Sequence, residues 1–301
     1  HSRGSLYSVE AYIIEGKTKM EFLKDILKGA VIGVANAIPG VSGGTMMVSM
    51  GVYDNIIYCI THLFKQFKKS LLILLPYFIG MAAGIAGLAF SIKSLYANFP
   101  LQTSMAFIGL ILGGIPMLYE HVKKTTLRLG HILLFLVFFV AIIAMEYFGG
   151  NGQDVTLSVD LVSIIKIFFI GVLASATMVI PGVSGSMMLM ILGYYNPIIN
   201  AITDFITALT AGDWDTVINI CGSLVPFGIG VVIGIFIIAK IIELLLKHFE
   251  SYTYCAILGL VISSPVVILM GTDMARVNVI AIITGIIALA AGALAAKQLG
   301  K

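Results

Sequence analysis

Apolar runs of nearly membrane-crossing length, parted by short polar stretches, fill most of this 301-residue chain. A helix needs about 20 apolar residues to cross the hydrocarbon core. Six runs approach that length and predict spanning helices: 71–92, 103–118, 132–148, 217–239, 253–270 and 277–296. Two more, 30–60 and 164–205, are too long for one simple span and too short for two. Residues 8–28 alternate charged and apolar positions, the pattern of an amphipathic helix lying at a membrane surface.

The polar stretches assign sides, because Lys and Arg are enriched in cytoplasmic loops. Lys65, Lys68 and Lys69 mark one loop as cytoplasmic, and Lys123, Lys124 and Arg128 mark another. Loops 149–160 and 200–216 hold Asp154, Asp160, Asp204, Asp213 and Asp215 without Lys or Arg, and belong outside. A single crossing by 30–60 would put the Lys65–Lys69 loop on the wrong side. If 30–60 and 164–205 each enter and return as re-entrant hairpins, every loop falls where its charges prefer. Both termini are then cytoplasmic.

Composition narrows the class. The chain is 59% hydrophobic and 11% charged, against about 25% charged in a soluble domain. The expected fold is all-α: a polytopic integral membrane protein with about six full spans. A net charge of +3 gives nucleic acid no purchase. Cys59, Cys221 and Cys255 lie far apart with no CxxC spacing, so neither a disulfide framework nor a metal site is expected.

Both oversized runs carry the same helix breaker. Displaced by 142, residues 38–51 ("IPGVSGGTMMVSMG") fall on 180–193 ("IPGVSGSMMLMILG") with 8 of 14 positions identical. Displaced by 150, "LLPYFIGMAAGI" (74–85) falls on "LVPFGIGVVIGI" (224–235), and "TSMAFIGLILGG" (103–114) on "TYCAILGLVISS" (253–264). The extra 8 residues fall in the Asp-rich outer loop. Pro and Gly in step over so long a stretch indicate an internal duplication. Its halves start on opposite sides, as in the inverted repeats of many secondary transporters. The expected division begins with residues 1–23, a tag remnant and amphipathic segment. Repeat 1 is 24–130 (hairpin 24–60 plus two spans), and 131–162 is a linking span and outer loop. Repeat 2 is 163–270 (hairpin 163–205 plus two spans), and 271–301 is a final span and tail, with no counterpart in the first half.

The breaker has its own chemistry. Pro39 and Pro181 lack an N–H and disfavour helix at the preceding residue. Gly40, Gly43 and Gly44, with Gly182 and Gly185, permit close backbone approach. A helix restarting there exposes amide donors that lipid cannot satisfy. Ser42 and Thr45, with Ser184 and Ser186, add hydroxyls suited to capping or to an oxyanion. Asn36 and Thr177 stand just before the two breaks. Two such tips meeting from opposite faces favour an anion, and phosphate and carboxylate fit equally. For one copy alone, a tight hairpin whose serine caps its own helix explains as much.

Other polar residues read more plainly. Lys24 and Lys166 correspond at the 142 displacement and read as a cationic vestibule or as snorkelling interface lysines. Asp54, matched by Asn196, reads as a polar hairpin cap, and Lys240 with Glu243 as a helical ion pair. His1, His62, His121, His131 and His248 lie far from either breaker, so no catalytic set is expected and the chain does not read as an enzyme.

With its doubled PGVSGG/PGVSGS signature, its repeated Pro-x-x-x-Gly-x-x-x-Gly spans and its length, the chain resembles the bacterial polyprenyl-phosphate (undecaprenyl-phosphate) transporters from about Phe22 to Lys297. The resemblance implies that it moves this carrier lipid across the cytoplasmic membrane for reuse in cell-wall synthesis. The head would sit between the two hairpin tips in alternating access, with the tail left in lipid. The second copy has Ser186 and Met187 where the first has Gly44 and Thr45, so unequal contributions are expected. No cofactor is expected. The second pKa of a phosphate monoester, near about 6, leaves coupling to a proton or sodium gradient open. The alternative on this scaffold is a transporter or channel for a small soluble anion.

Overall fold

A computed structural model describes residues 19–36, 41–123, 127–149, 152–275 and 277–300, and all regular structure among them is helical. The first half runs α1 (Lys19–Asn36), α2 (Gly43–Ser49), α3 (Tyr53–Thr61) and α4 (Phe67–Ala83). A π-helical turn (Gly84–Leu88) joins α4 to α5 (Ala89–Asn98), followed by α6 (Pro100–Lys123) and α7 (Leu129–Phe148). The second half runs α8 (Leu161–Val179), α9 (Gly185–Ile191), α10 (Tyr195–Ala211), α11 (Trp214–His248), α12 (Glu250–Met270) and α13 (Val279–Leu299).

Each of the six expected spans is covered by helix. By length and composition, 7 helical stretches could cross a membrane: Phe67–Gly87 and helices α6, α7, α8, α11, α12 and α13. The one beyond the expected six is α8, the first arm of the second oversized run. Its 19 residues reach about 28 Å at 1.5 Å per residue. Helix α1 is almost as long but carries Lys19, Glu21, Lys24, Asp25 and Lys28 in its first ten residues. Neither oversized run is continuous, since α1 stops at Asn36 and α8 at Val179.

The 8 extra residues of the second half are helix, not loop: α10 has 17 residues where α3 has 9. Buried Ile198, Ala201 and Ala208 carry an apolar face through the Asp-rich stretch, so the helical period outlasts the change in polarity. Thr203 and Thr207 return their hydroxyls to the carbonyls of Ile199 and Thr203, which leaves no free hydroxyl to break the helix. Asp160 and Asp213 cap α8 and α11 by accepting from the Ser163 and Thr216 amides. Those bonds, together with the Ser158 hydroxyl on Asp160 and the Thr216 hydroxyl on Asp213, hold both carboxyls below the usual range.

Glycines let α1 and α8 lie backbone to backbone against α4 and α11. A Cβ on Gly80 of α4 would collide with the Ile26 carbonyl of α1, and one on Gly230 of α11 with the Phe168 carbonyl of α8. These two glycines match at the 150 displacement and follow the internal prolines Pro76 and Pro226 by four residues. The last span of each half then crosses over: α13 packs along α6, and α7 along α12. Displaced by 150, residues 129–148 cover 279–298, so α7 and α13 occupy matching places, a correspondence the sequence reading did not draw. Their outer faces expose Val137, Val140, Ile286 and Ile287, as lipid contact requires. The core gathers instead around α2, α3, α6 and α12.

Candidate functional site

Five residues part α8 from α9, and within them Ile180 is extended and Gly182 takes φ +83°. That left-handed angle suits glycine, and a Cβ there would also stand 2.6 Å from the Leu260 carbonyl oxygen. In the first half Val41 and Ser42 lie outside any helix, while Pro39 and Gly40 fall outside the described residues.

The two breakers touch. The Gly182 amide donates to Thr45 Oγ1 at 2.7 Å, across 137 positions of sequence. Thr45 is fully buried and lies 3.4 Å from Ser264 Oγ of α12, which in turn donates to the Leu260 carbonyl at 3.2 Å. A Cβ on Gly44 would press to 3.2 Å from the Ile180 oxygen and the Pro181 Cα, so only glycine leaves the contact relaxed. A second tie comes from α3, where the Tyr53 hydroxyl donates to the Val179 carbonyl at 3.1 Å.

Neither motif serine caps its helix. Ser42 and Ser184 occupy the N-cap positions of α2 and α9 with extended backbones, and their side chains make no capping bond. Both are buried, at 5% and 7% exposure. Ser184 Oγ pairs with Ser186 Oγ at 3.0 Å. Ser42 Oγ is buried with no hydrogen-bond partner among the described residues. Asn36 does the capping in the first copy: its Oδ1 accepts from the Gly43 amide at 3.2 Å. Its offset counterpart Thr177 instead donates to the Ala174 carbonyl at 2.6 Å and lies beside Gly185. Among the described residues no acceptor meets the amides of Thr45, Gly185, Ser186 or Met187. With seven residues each, α2 and α9 carry little macrodipole, so what they offer is donors rather than field.

Lys24 and Lys166 do not join this junction. They sit 12 and 13 residues before the ends of their arms, about 18 and 20 Å away along each helix. A cavity of about 360 Å³ opens elsewhere, lined by Asp154, Asp204, Asn200, Asn219 and Ser223. Its two carboxylates repel anions.

Sequence reasoning missed Tyr53 and Ser264. Tyr53 had a signal, because Tyr195 repeats it at the 142 displacement. Ser264 had none, as its counterpart is Gly114.

A multi-pass helical membrane protein whose two helix breaks converge on one buried polar junction has the build of a membrane transporter. Residues 32–281 match the family described as undecaprenyl phosphate translocase-like (VCA0040-like), and the chain belongs to that family. It is 30% identical over 246 residues to the polyprenyl-phosphate transporter of Staphylococcus aureus (strain NCTC 8325 / PS 47), covering 80% of this chain and 83% of the relative. It is 28% identical over 264 residues to that of Vibrio cholerae serotype O1 (strain ATCC 39315 / El Tor Inaba N16961), covering 83% and 78%. No solved structure matches the chain significantly.

Proposed function

We propose that this protein carries polyprenyl phosphate between the leaflets of the cytoplasmic membrane, with the phosphate head held at the junction of the two breakers and the tail left in lipid. The observation that carries the reading is the meeting of Thr45 with Gly182, three residues along the chain from a buried Ser42 hydroxyl that has no partner among the described residues. A charge at the bilayer centre is costly, so water must be replaced by fixed donors. Ser42, Ser184, Ser186 and the open amides supply them, with no cation opposite to trap the head. Pro181, Gly182 and Gly185 shape the second turn, and the sequence has Pro39 and Gly40 at the matching positions of the first motif.

Charge placement supports tips that meet within the membrane. The last charge of α1 is Lys28, eight residues before its end, and that of α8 is Lys166, thirteen before its end. These apolar stretches reach about 12 and 20 Å, together close to one hydrocarbon thickness of about 30 Å. The arms therefore read as inverted re-entrant hairpins entering from opposite sides, with both termini cytoplasmic and Lys24 and Lys166 at the two mouths. Each repeat reads as a hairpin and three spans, with α7 and α13 exchanged between halves. In alternating access, the bond between Thr45 and Gly182 opens and re-forms as each tip admits the head.

The test is leaflet exchange of labelled polyprenyl phosphate in proteoliposomes. Ser42→Ala and Ser184→Ala should each slow it by about tenfold or more, the scale of a lost hydrogen bond to a charged group. Wild-type rates in both variants would remove the hydroxyls from the mechanism. Movement of inorganic phosphate without lipid exchange would favour a soluble-anion carrier.

A further inference from the structure

A second polar cluster lies at the other end of the first breaker's short helices. Asp54 lies in the first turn of α3, whose N-cap position is Val52 and carries no side-chain cap. Its Oδ2 accepts from the Tyr254 hydroxyl of α12 at 2.5 Å, across 200 positions of sequence. The Tyr254 ring stacks on the His121 imidazole of α6, with centroids 4.3 Å apart. His121 Nδ1 lies 3.1 Å from the Met117 carbonyl oxygen, which can only accept, so Nδ1 carries a proton. Asp54, Tyr254 and His121 line one cavity of about 60 Å³ with Tyr53, Gly51 and Met117. That volume admits at least one water molecule, hence a proton.

Among the described residues, the groups facing the cluster come from three helices: Tyr53 from α3, His121 from α6, and Tyr254 with Glu250 from α12. Helix α2, of sequence GGTMMVS, contributes no titratable or charged side chain. Tyr53, next to Asp54, is the residue whose hydroxyl ties the first hairpin to Val179 just before the second break. A change of charge at Asp54 thus acts one residue from a bond between the two hairpins.

The repeat shows that this cluster is no requirement of the hairpin fold. At displacements of 142 and 150, Asn196 stands in place of Asp54, Ser104 in place of Tyr254 and Gly271 in place of His121. Asn196 Nδ2 donates to Asp154 in the outer loop, and Ser104 pairs with Thr272 at 2.6 Å. None of the three counterparts titrates, so the second hairpin is built without a carboxyl–tyrosine–histidine set.

We infer that Asp54, supported by Tyr254 and His121, is the proton-binding site that couples a pH gradient to movement of the first hairpin. This rests on the proposed head-group site at the breakers. As a carboxylate, Asp54 takes a charge-assisted bond from Tyr254, about twice as strong as a neutral one, and α3 is held to α12. One proton from the acidic aqueous side, relayed through a water that the cavity can admit and that is left neutral, converts it to the carboxylic acid, weakens that tie and frees the hairpin tip.

Two measurements on the full chain test this. Lipid exchange in proteoliposomes is followed with and without an imposed pH gradient, and the purified protein is titrated by infrared spectroscopy for its protonated-carboxyl bands. Asp54→Asn should abolish acceleration by the gradient and remove one titrating band. Tyr254→Phe keeps the ring on His121 but removes the donor, and should move that band's midpoint upward by about one unit. An intact gradient response in Asp54→Asn, a sodium gradient that substitutes for the proton gradient, or no band shifted by Tyr254→Phe would each overturn the inference. If the wild-type protein exchanges no lipid while the band still responds to both variants, the proton site stands and the head-group reading falls.

Discussion

Ser42 and Thr45 are hydroxyls of the same motif, both buried, with opposite hydrogen-bonding fates. Thr45 accepts from Gly182 and adjoins Ser264, so its oxygen belongs to the fabric of the junction. Thr45→Val would strand the Gly182 amide, and an unsatisfied buried donor costs about 1–3 kcal/mol. A lowered melting temperature in detergent, restored by Thr45→Ser, is the expected outcome. Ser42 Oγ has no partner among the described residues. Ser42→Ala should therefore leave the melting temperature unchanged or raised, even as it slows exchange. A fall in stability matching that of Thr45→Val would mark Ser42 as structural. The sequence showed these hydroxyls as equivalent, because spacing reports that a serine adjoins a break and not where its oxygen points.

Helix packing sets different demands on neighbouring glycines of one helix. In α11 a Cβ on Gly230 would strike the Phe168 carbonyl, whereas one on Gly228 would meet nothing within 4 Å. Gly230→Ala should push α8 off α11 and reduce the yield of folded protein in size-exclusion chromatography. Gly228→Ala should be neutral or slightly stabilising, since alanine favours helix over glycine by about 1 kcal/mol. The Pro-x-x-x-Gly spacing was visible in both halves of the sequence, but the helix each glycine meets was not. Helix α10 teaches the converse: Asp204 and the threonines made 200–216 read as a loop, yet buried Ile198, Ala201 and Ala208 carry the helix to Ala211.

Across the whole molecule the halves are interlocked, because α7 leaves the first half to pack on α12 and α13 leaves the second to pack on α6. Coexpressed fragments divided within 152–158 should copurify, and neither should be stable alone. Recovery of either fragment as a monodisperse folded species would contradict this interlock. The sequence by itself determined the membrane class, the six apolar runs that became helices and the helix breaker that occurs twice. Each of these follows from local composition and from periods of a few residues, where burial in lipid leaves few alternatives. Only the tertiary structure decided that Thr45 reaches Gly182, that Tyr254 finds Asp54, and that α7 packs on α12 and α13 on α6. Those pairings join residues more than a hundred positions apart, and they are chosen by which helix backbones can approach closely, a property of helix pairs that no single stretch of chain encodes.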